Sequence, residues 1–379
     1  MNLKRLYASD LTPDTEGGKS THGEKGIQEF LGGIVDNLFL LVPRILRHFK
    51  PPRDISRSVY ESHIDFYIQK GFTQNPESFF TFPNEIPAHK ILLRRPYLDG
   101  EYQLISFSSG YEPQNPMLRE SYLVHRNNST GYIVRWTHGR DDVKTVLCLH
   151  GYMLGNPRQA WRMFRIRKMF ELGLDVALFI TPFHWKRAPV SKAQRGIYLQ
   201  PDNVAMTCEC VGQTMYDLYS TCKVLRTLGA GSIGLIGASL GGYLAGLFIC
   251  LQSIVDFAAM MVPVVNLSGT LGPDTAKLLF PIDAEFLKKT QKVYEFHSPL
   301  NFHPKIPKDR ILIIASQGDR LCPFEFVRFL CEKWDWPEHQ FLRGGHWLIF
   351  NNNLRGQNWY AFLQRMGYLT NKKIQVHNT

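Results

Sequence analysis

Residues 232–251 read SIGLIGASLGGYLAGLFICL, and this stretch decides how the chain is read. SIGLI is a short apolar run of strand type, YLAGLFICL reads as a helix, and between them stands Gly237-Ala238-Ser239-Leu240-Gly241, extended by Gly242. A serine pushed out of a sheet on a sharp strand-to-helix turn needs small neighbours, because the backbone is strained and the chains pass close to one another. Gly237 and Gly241 meet that need, which makes Ser239 a candidate nucleophile. The bland alternative is a tight packing turn carrying an ordinary serine.

Working outward, further short apolar runs recur as TVLCLHG at 145–151, DVALFITP at 175–182, MVPVVNLSG at 261–269 and RILIIASQGD at 310–319. Runs that are apolar throughout, rather than alternating, are expected of strands covered on both faces. Helix-length segments at 161–172 and 204–228 lie between them, so the order predicts a mostly parallel central sheet with helices on both faces. Reactive groups in such a sheet collect beyond the carboxyl ends of the strands. Before this region, KILLRR, YQLISFSSG, SYLVHR and GYIVRWTHG alternate with turn residues and predict antiparallel strands. SVYESHIDFYIQK predicts an amphipathic helix.

A serine hydroxyl is a poor nucleophile until a base takes its proton. His346, in FLRGGHWLIF, follows another β-like stretch, and the two glycines before it let the chain curl toward Ser239. Asp319 ends the run ILIIASQGD, where a carboxylate can accept the Nδ1 proton of the base and fix its tautomer. Asp274 and Asp283 are weaker alternatives for that acid.

The elbow GASLGG, the upstream LCLHGY and the later SQGDR and GGHW resemble the α/β-hydrolase superfamily, in its order of serine, acid and histidine, over roughly residues 90–370. The resemblance implies an α/β-hydrolase fold with an inserted lid, expected at 271–308, and a triad of Ser239, Asp319 and His346. It also implies an oxyanion hole from the backbone N–H groups of Leu240 and Tyr152, with Met153 close enough to compete. His150, directly after a strand, is expected to hold that loop rather than act as base. Gln317 stands where relatives often have histidine, a change that leaves the triad whole.

Met153, Leu154, Phe183 and Trp185 are the expected pocket lining and suit an apolar acyl group. Lys186 and Arg187 read as a solvated basic turn, with an anion contact as the alternative. The expected function is therefore a serine hydrolase, carboxylesterase or lipase-like and of lipid-metabolism type, acting on a small-molecule or lipid ester. A peptidase or acyltransferase of the same fold, or a non-catalytic binding protein, are the alternatives.

Composition sets the outer limits. Lys and Arg number 44 against 33 Asp and Glu, giving a net charge of +11 that would favour an anionic surface. The excess is spread thinly, with no nucleic-acid-binding motif, so nucleic acid is not an expected partner. The seven cysteines sit in apolar surroundings and read as core thiols, the TCEC pair Cys208 and Cys210 included. No metal-ligand or nucleotide-binding spacing occurs, and the chemistry calls for no cofactor because water can resolve an acyl-enzyme. Residues 1–50 are expected to form a tail and an amphipathic helix, and 51–379 the hydrolase domain. The apolar run at 34–46 is too short and too interrupted to span a bilayer. It is read as a docked helix or, with 34–50 as a whole, as a peripheral membrane contact, and the expected location is cytoplasmic with that membrane contact left open.

Overall fold

A computed structural model of the 379-residue chain describes residues 28, 31–33, 36, 56–189, 198–199, 203–268, 283–349 and 352–370. Its centre is a nine-stranded sheet in the order β1-β2-β3-β5-β4-β6-β7-β8-β9. The strands are β1 (His89–Tyr97), β2 (Gly100–Ser108), β3 (Thr130–Thr137), β4 (Val143–Leu149), β5 (Asp175–Ile180), β6 (Ala230–Ala238), β7 (Ala258–Met261), β8 (Ile311–Ser316) and β9 (Glu338–Leu342). The pairs β1·β2, β2·β3 and β3·β5 are antiparallel, and every pair from β5 through β4 to β9 is parallel. This mixed, mostly parallel sheet flanked by helices is the α/β-hydrolase topology.

The apolar runs became buried strands for the expected reason. All six residues of β5 and of β8 are buried, since helices cover both faces. One face packs against the long helix Val204–Thr227 and the elbow helix Leu240–Leu251, and the other against Ile166–Glu171 and Asn352–Arg365. Helix Ala284–Glu295 packs on Arg57–Gln69 through Phe286 and Tyr60, whose ring centroids lie 5.5 Å apart.

Three local expectations are corrected. SYLVHR is no strand: Asn115 caps a turn that opens with Pro116, helix Arg119–Leu123 follows, and Tyr122 donates to Gln213 in the interior. The segment 161–172 is broken by Arg165 at φ 50°, which lets both Phe164 and Ile166 turn inward. MVPVVNLSG extends the sheet only to Met261; Val262 then adopts φ 40°, and Pro263 has no N–H for a ladder. Its buried valines pack as a loop beneath the elbow, with Val264 N–H donating to the Ser239 carbonyl at 3.2 Å.

The acid alternative Asp274 and the first part of the expected lid, 271–282, lie outside the described residues, as does most of 34–50. Asp283 is the N-cap of helix Ala284–Glu295 and pairs with Arg57. Among the described residues, no helix is long and apolar enough to cross a membrane.

Candidate active site

The carboxyl ends of β4, β6, β8 and β9 deliver His150, Ser239, Asp319 and His346 to one edge of the sheet. Ser239 sits between β6 and helix Leu240–Leu251 at φ 56°, ψ −117°, a conformation costing a non-glycine residue about 1–3 kcal/mol. The turn is closed so tightly that a Cβ at Gly237 would lie 2.0 Å from the Gly241 carbonyl oxygen, and one at Gly241 would lie 1.9 Å from that of Leu149. Both glycines are therefore obligatory to this geometry, and the strain is held by Ser239 N–H donating to Met261 at 2.9 Å.

Asp319 and His346 meet on the adjoining loops. His346 Nδ1 lies 2.7 Å from Asp319 Oδ2, while Asp319 Oδ1 accepts from the N–H groups of Leu321 and Cys322 at 2.9 and 2.7 Å. The carboxylate thus accepts a hydrogen bond from Nδ1–H, which leaves Nε2 as the nitrogen that gains or loses the second proton. The two loops are tied by Gly318 N–H to the Gly344 carbonyl at 2.9 Å. Burial raises the Asp319 pKa above its ordinary value, although the hydrogen bond from His346 works against it. For His346, burial disfavours the charged ring, but the hydrogen bond to the Asp319 carboxylate favours it, and the pKa is held above the ordinary value.

Cys322 was not singled out in the sequence as a site residue, yet its buried thiol stands beside the Asp319–His346 pair. Asp319, Cys322 and His346 offer potential ligand atoms within 4.8 Å of one another. Because Nδ1 and Oδ2 already satisfy each other, a metal held there would have to break that hydrogen bond. Burial pushes the Cys322 thiol up, so it stands as a neutral thiol.

Across the strand ends lies the loop after β4. His150 Nδ1 donates to the Gly151 carbonyl at 2.8 Å, and its Nε2 lies 3.1 Å from Thr181 Oγ1. Thr181 Oγ1 in turn lies 2.9 Å from His184 Nδ1, and His184 Nε2 accepts the Met153 N–H at 3.0 Å. Only one proton arrangement satisfies this chain: both rings carry their proton on Nδ1 and both Nε2 atoms accept. Burial lowers the pKa of His150 to about 4 and that of His184 to about 3, so both remain neutral. Gly151 and Met153 are thereby pinned on either side of Tyr152. A Cβ added at Gly151 would stand 3.5 Å from the Ser239 Cβ, which puts this loop against the nucleophile position.

The other residues singled out in the sequence take varied positions. Met153 is 60% exposed, and Leu154 is half-buried beside Gly151. Phe183 is buried against Tyr122 and His125, and Trp185 packs on Tyr132. Arg187 corrects the reading of a solvated basic turn. It is fully buried, donating to Asp217 at 2.6 Å and to the carbonyls of Asn128 and Ile180 at 2.9 and 3.1 Å. All seven cysteines are buried and free, Cys208 and Cys210 included; between those two, Glu209 accepts from Tyr67, Tyr111 and the amides of Gln114 and Asn115.

Comparison with solved structures matches this architecture. The acetyl xylan esterase from Paenibacillus sp. R4 superposes with a TM-score of 0.52 at 14% identity, covering 84% of this chain and 98% of that one. Acetyl xylan esterase 1 from Thermoanaerobacterium sp. JW/SL YS485 superposes with a TM-score of 0.53 at 12% identity, covering 78% and 93%. The likeness is one of fold. No family model matches the chain. Two uncharacterized proteins of Mycobacterium tuberculosis, from strains CDC 1551 / Oshkosh and ATCC 25618 / H37Rv, are each 27% identical over 319 residues, which is 82% of this chain and 76% of theirs. At these identities the chemistry has to be argued from the site itself.

Proposed function

We propose that this protein is a serine hydrolase that cleaves a carboxylic ester with an apolar acyl group. In this reading Ser239 Oγ attacks the carbonyl carbon while His346 Nε2 takes its proton, and Asp319 stabilises the imidazolium that forms. The tetrahedral oxygen is received by the backbone N–H groups of Leu240 and Tyr152. When the ester C–O bond breaks, His346 returns the proton to the leaving alcohol. Water then attacks the acyl-enzyme with the same base, releasing the acid and restoring Ser239.

The observation that carries the proposal is the strained Ser239, at φ 56°, held at the same sheet edge as the His346–Asp319 hydrogen bond of 2.7 Å. Strain of that kind persists only where the surrounding structure over-determines it, and it clusters at functional sites. For the oxyanion donor on the β4 loop, Met153 is disfavoured because its amide is already donated to His184. The apolar acyl group is supported by the large exposed side chains on the two loops that flank the site, Met153 on one and Trp347 and Leu348 on the other.

A second reading makes Cys322 the nucleophile of a Cys-His-Asp set, since its thiol reaches His346. It is disfavoured because Cys322 is buried with its pKa raised by that burial, whereas Ser239 is partly exposed. Intact-mass measurement after treatment with a fluorophosphonate separates the two. A single phosphonyl adduct is expected on the native chain and on Cys322→Ala, and none on Ser239→Ala. An adduct that survives Ser239→Ala and disappears in Cys322→Ala would overturn the assignment, and no adduct on any folded form would count against a hydrolase.

A further inference from the structure

The loops carrying Asp319 and His346 share one partner that comes from far earlier in the chain. Residues 31–33 and 36 are helical, and Asp36 is fully buried. The His346 N–H donates to both of its carboxylate oxygens, at 3.0 and 2.8 Å, and the Trp347 N–H reaches Oδ1 at 3.3 Å. The Arg320 N–H donates to Oδ2 at 3.0 Å. Because Arg320 directly follows Asp319, a single carboxylate grips the backbone beside the acid and the backbone of the histidine.

The fit around this contact is close on both sides. A Cβ at Gly32 would lie 2.1 Å from the Gly345 nitrogen, and one at Gly345 would lie 2.7 Å from Asp36 Oδ2. A Cβ at Gly33 would meet the Arg320 guanidinium at 2.5 Å. The N-terminal helical residues are thus seated against the histidine loop with no room for a side chain between them. Asp36 holds the backbone beside both members of the pair, and its charge also raises the Asp319 pKa.

We infer that Asp36 is a positioning residue for the Asp319–His346 pair, so that the N-terminal helical segment is a working part of the active site. The inference rests on the catalytic reading of Ser239 and His346 given above. The reach of His346 toward Ser239 depends on where its backbone starts, and the 2.7 Å bond to Asp319 depends on the spacing of the two loops. Charged acceptors hold amides about twice as strongly as neutral ones, which suits a carboxylate rather than an amide at this position. Displacing a catalytic group by about 1 Å can cost on the order of 100-fold in rate.

The test uses the full chain and three readouts: the rate of fluorophosphonate labelling, kcat and KM for p-nitrophenyl butyrate, and the downfield proton resonance of His346 Nδ1–H. Asp36→Asn keeps the shape but turns one oxygen into an NH2 group that faces the amides. Labelling and kcat are expected to fall by roughly 10- to 100-fold, with KM changed by less than about twofold and the resonance weakened or lost. Asp36→Glu should recover part of the loss. If Asp36→Asn does not fold, Gly345→Ala provides the same test from the opposite side of the contact and should give the same kinetic pattern. Native labelling and native kcat in a folded variant would overturn the inference. Failure of the unaltered chain to label at Ser239 would instead sink the catalytic reading, and an unchanged His346 resonance in Asp36→Asn would then sink the positioning role as well.

Discussion

His346 and His184 are both buried and both lie on loops at the carboxyl edge of the sheet, yet their protonation is driven in opposite directions. Desolvation disfavours the imidazolium of each. His184 is met by the Pro182 carbonyl, the Thr181 hydroxyl and the Met153 amide, none of which carries a charge, so its pKa falls to about 3. His346 is met by the Asp319 carboxylate and the Cys322 thiol, and its pKa rises. The difference teaches that burial alone does not assign a role to a histidine. The partners decide whether the ring can carry a proton and return it, or serves as a fixed acceptor.

The largest expected effect is at His346. His346→Ala should lower ester turnover by on the order of 10⁴- to 10⁶-fold, because Ser239 then lacks a base, leaving only the part of the rate that oxyanion donors provide. A loss under tenfold in steady-state turnover would erase the distinction between the two histidines.

His184→Ala comes next. It leaves the Met153 amide without its acceptor and loosens the loop that carries Tyr152, so kcat is expected to fall by about 10- to 100-fold, with stability lower by about 1–3 kcal/mol in denaturant unfolding. Its pH–rate profile should keep the native shape, since a group with a pKa of about 3 does not titrate in the working range. A displaced limb would mean that His184 exchanges protons during turnover.

The smallest effect concerns pH. The base must be neutral to accept the Ser239 proton, and its pKa is raised, so kcat/KM should climb as pH rises through a limb lying above about 6.5, the ordinary histidine value. Cys322 is a neutral thiol, so Cys322→Ala should leave that limb in place, with the plateau rate changed by less than about threefold. A limb that moves to lower pH would show that Cys322 carries charge beside His346.

Legibility followed how local each constraint was. The elbow was readable because its requirement for small residues falls within five positions, and the sheet was readable because runs such as ILIIAS are apolar on both faces. SYLVHR misled because a short apolar stretch is ambiguous between strand and helix, and its first residues lie in helix Arg119–Leu123 with Tyr122 buried. MVPVVNLSG misled because an apolar run reports burial and does not by itself report pairing. Arg187 looked like a surface charge until the helix Val204–Thr227 brought Asp217 to it.

By itself, the sequence determined the mostly parallel sheet with helices on both faces, the strand-turn-helix at Ser239 and the succession of Ser239, Asp319 and His346, because each depends on neighbours in the chain. Only the tertiary structure decided that Asp36 grips the His346 backbone from 310 positions away, that Cys322 reaches the pair, and that His184 holds Met153. A hydrogen bond to a backbone amide leaves no mark on the identity of the residue that donates it. Such partners become visible only when the folded chain carries distant segments into contact.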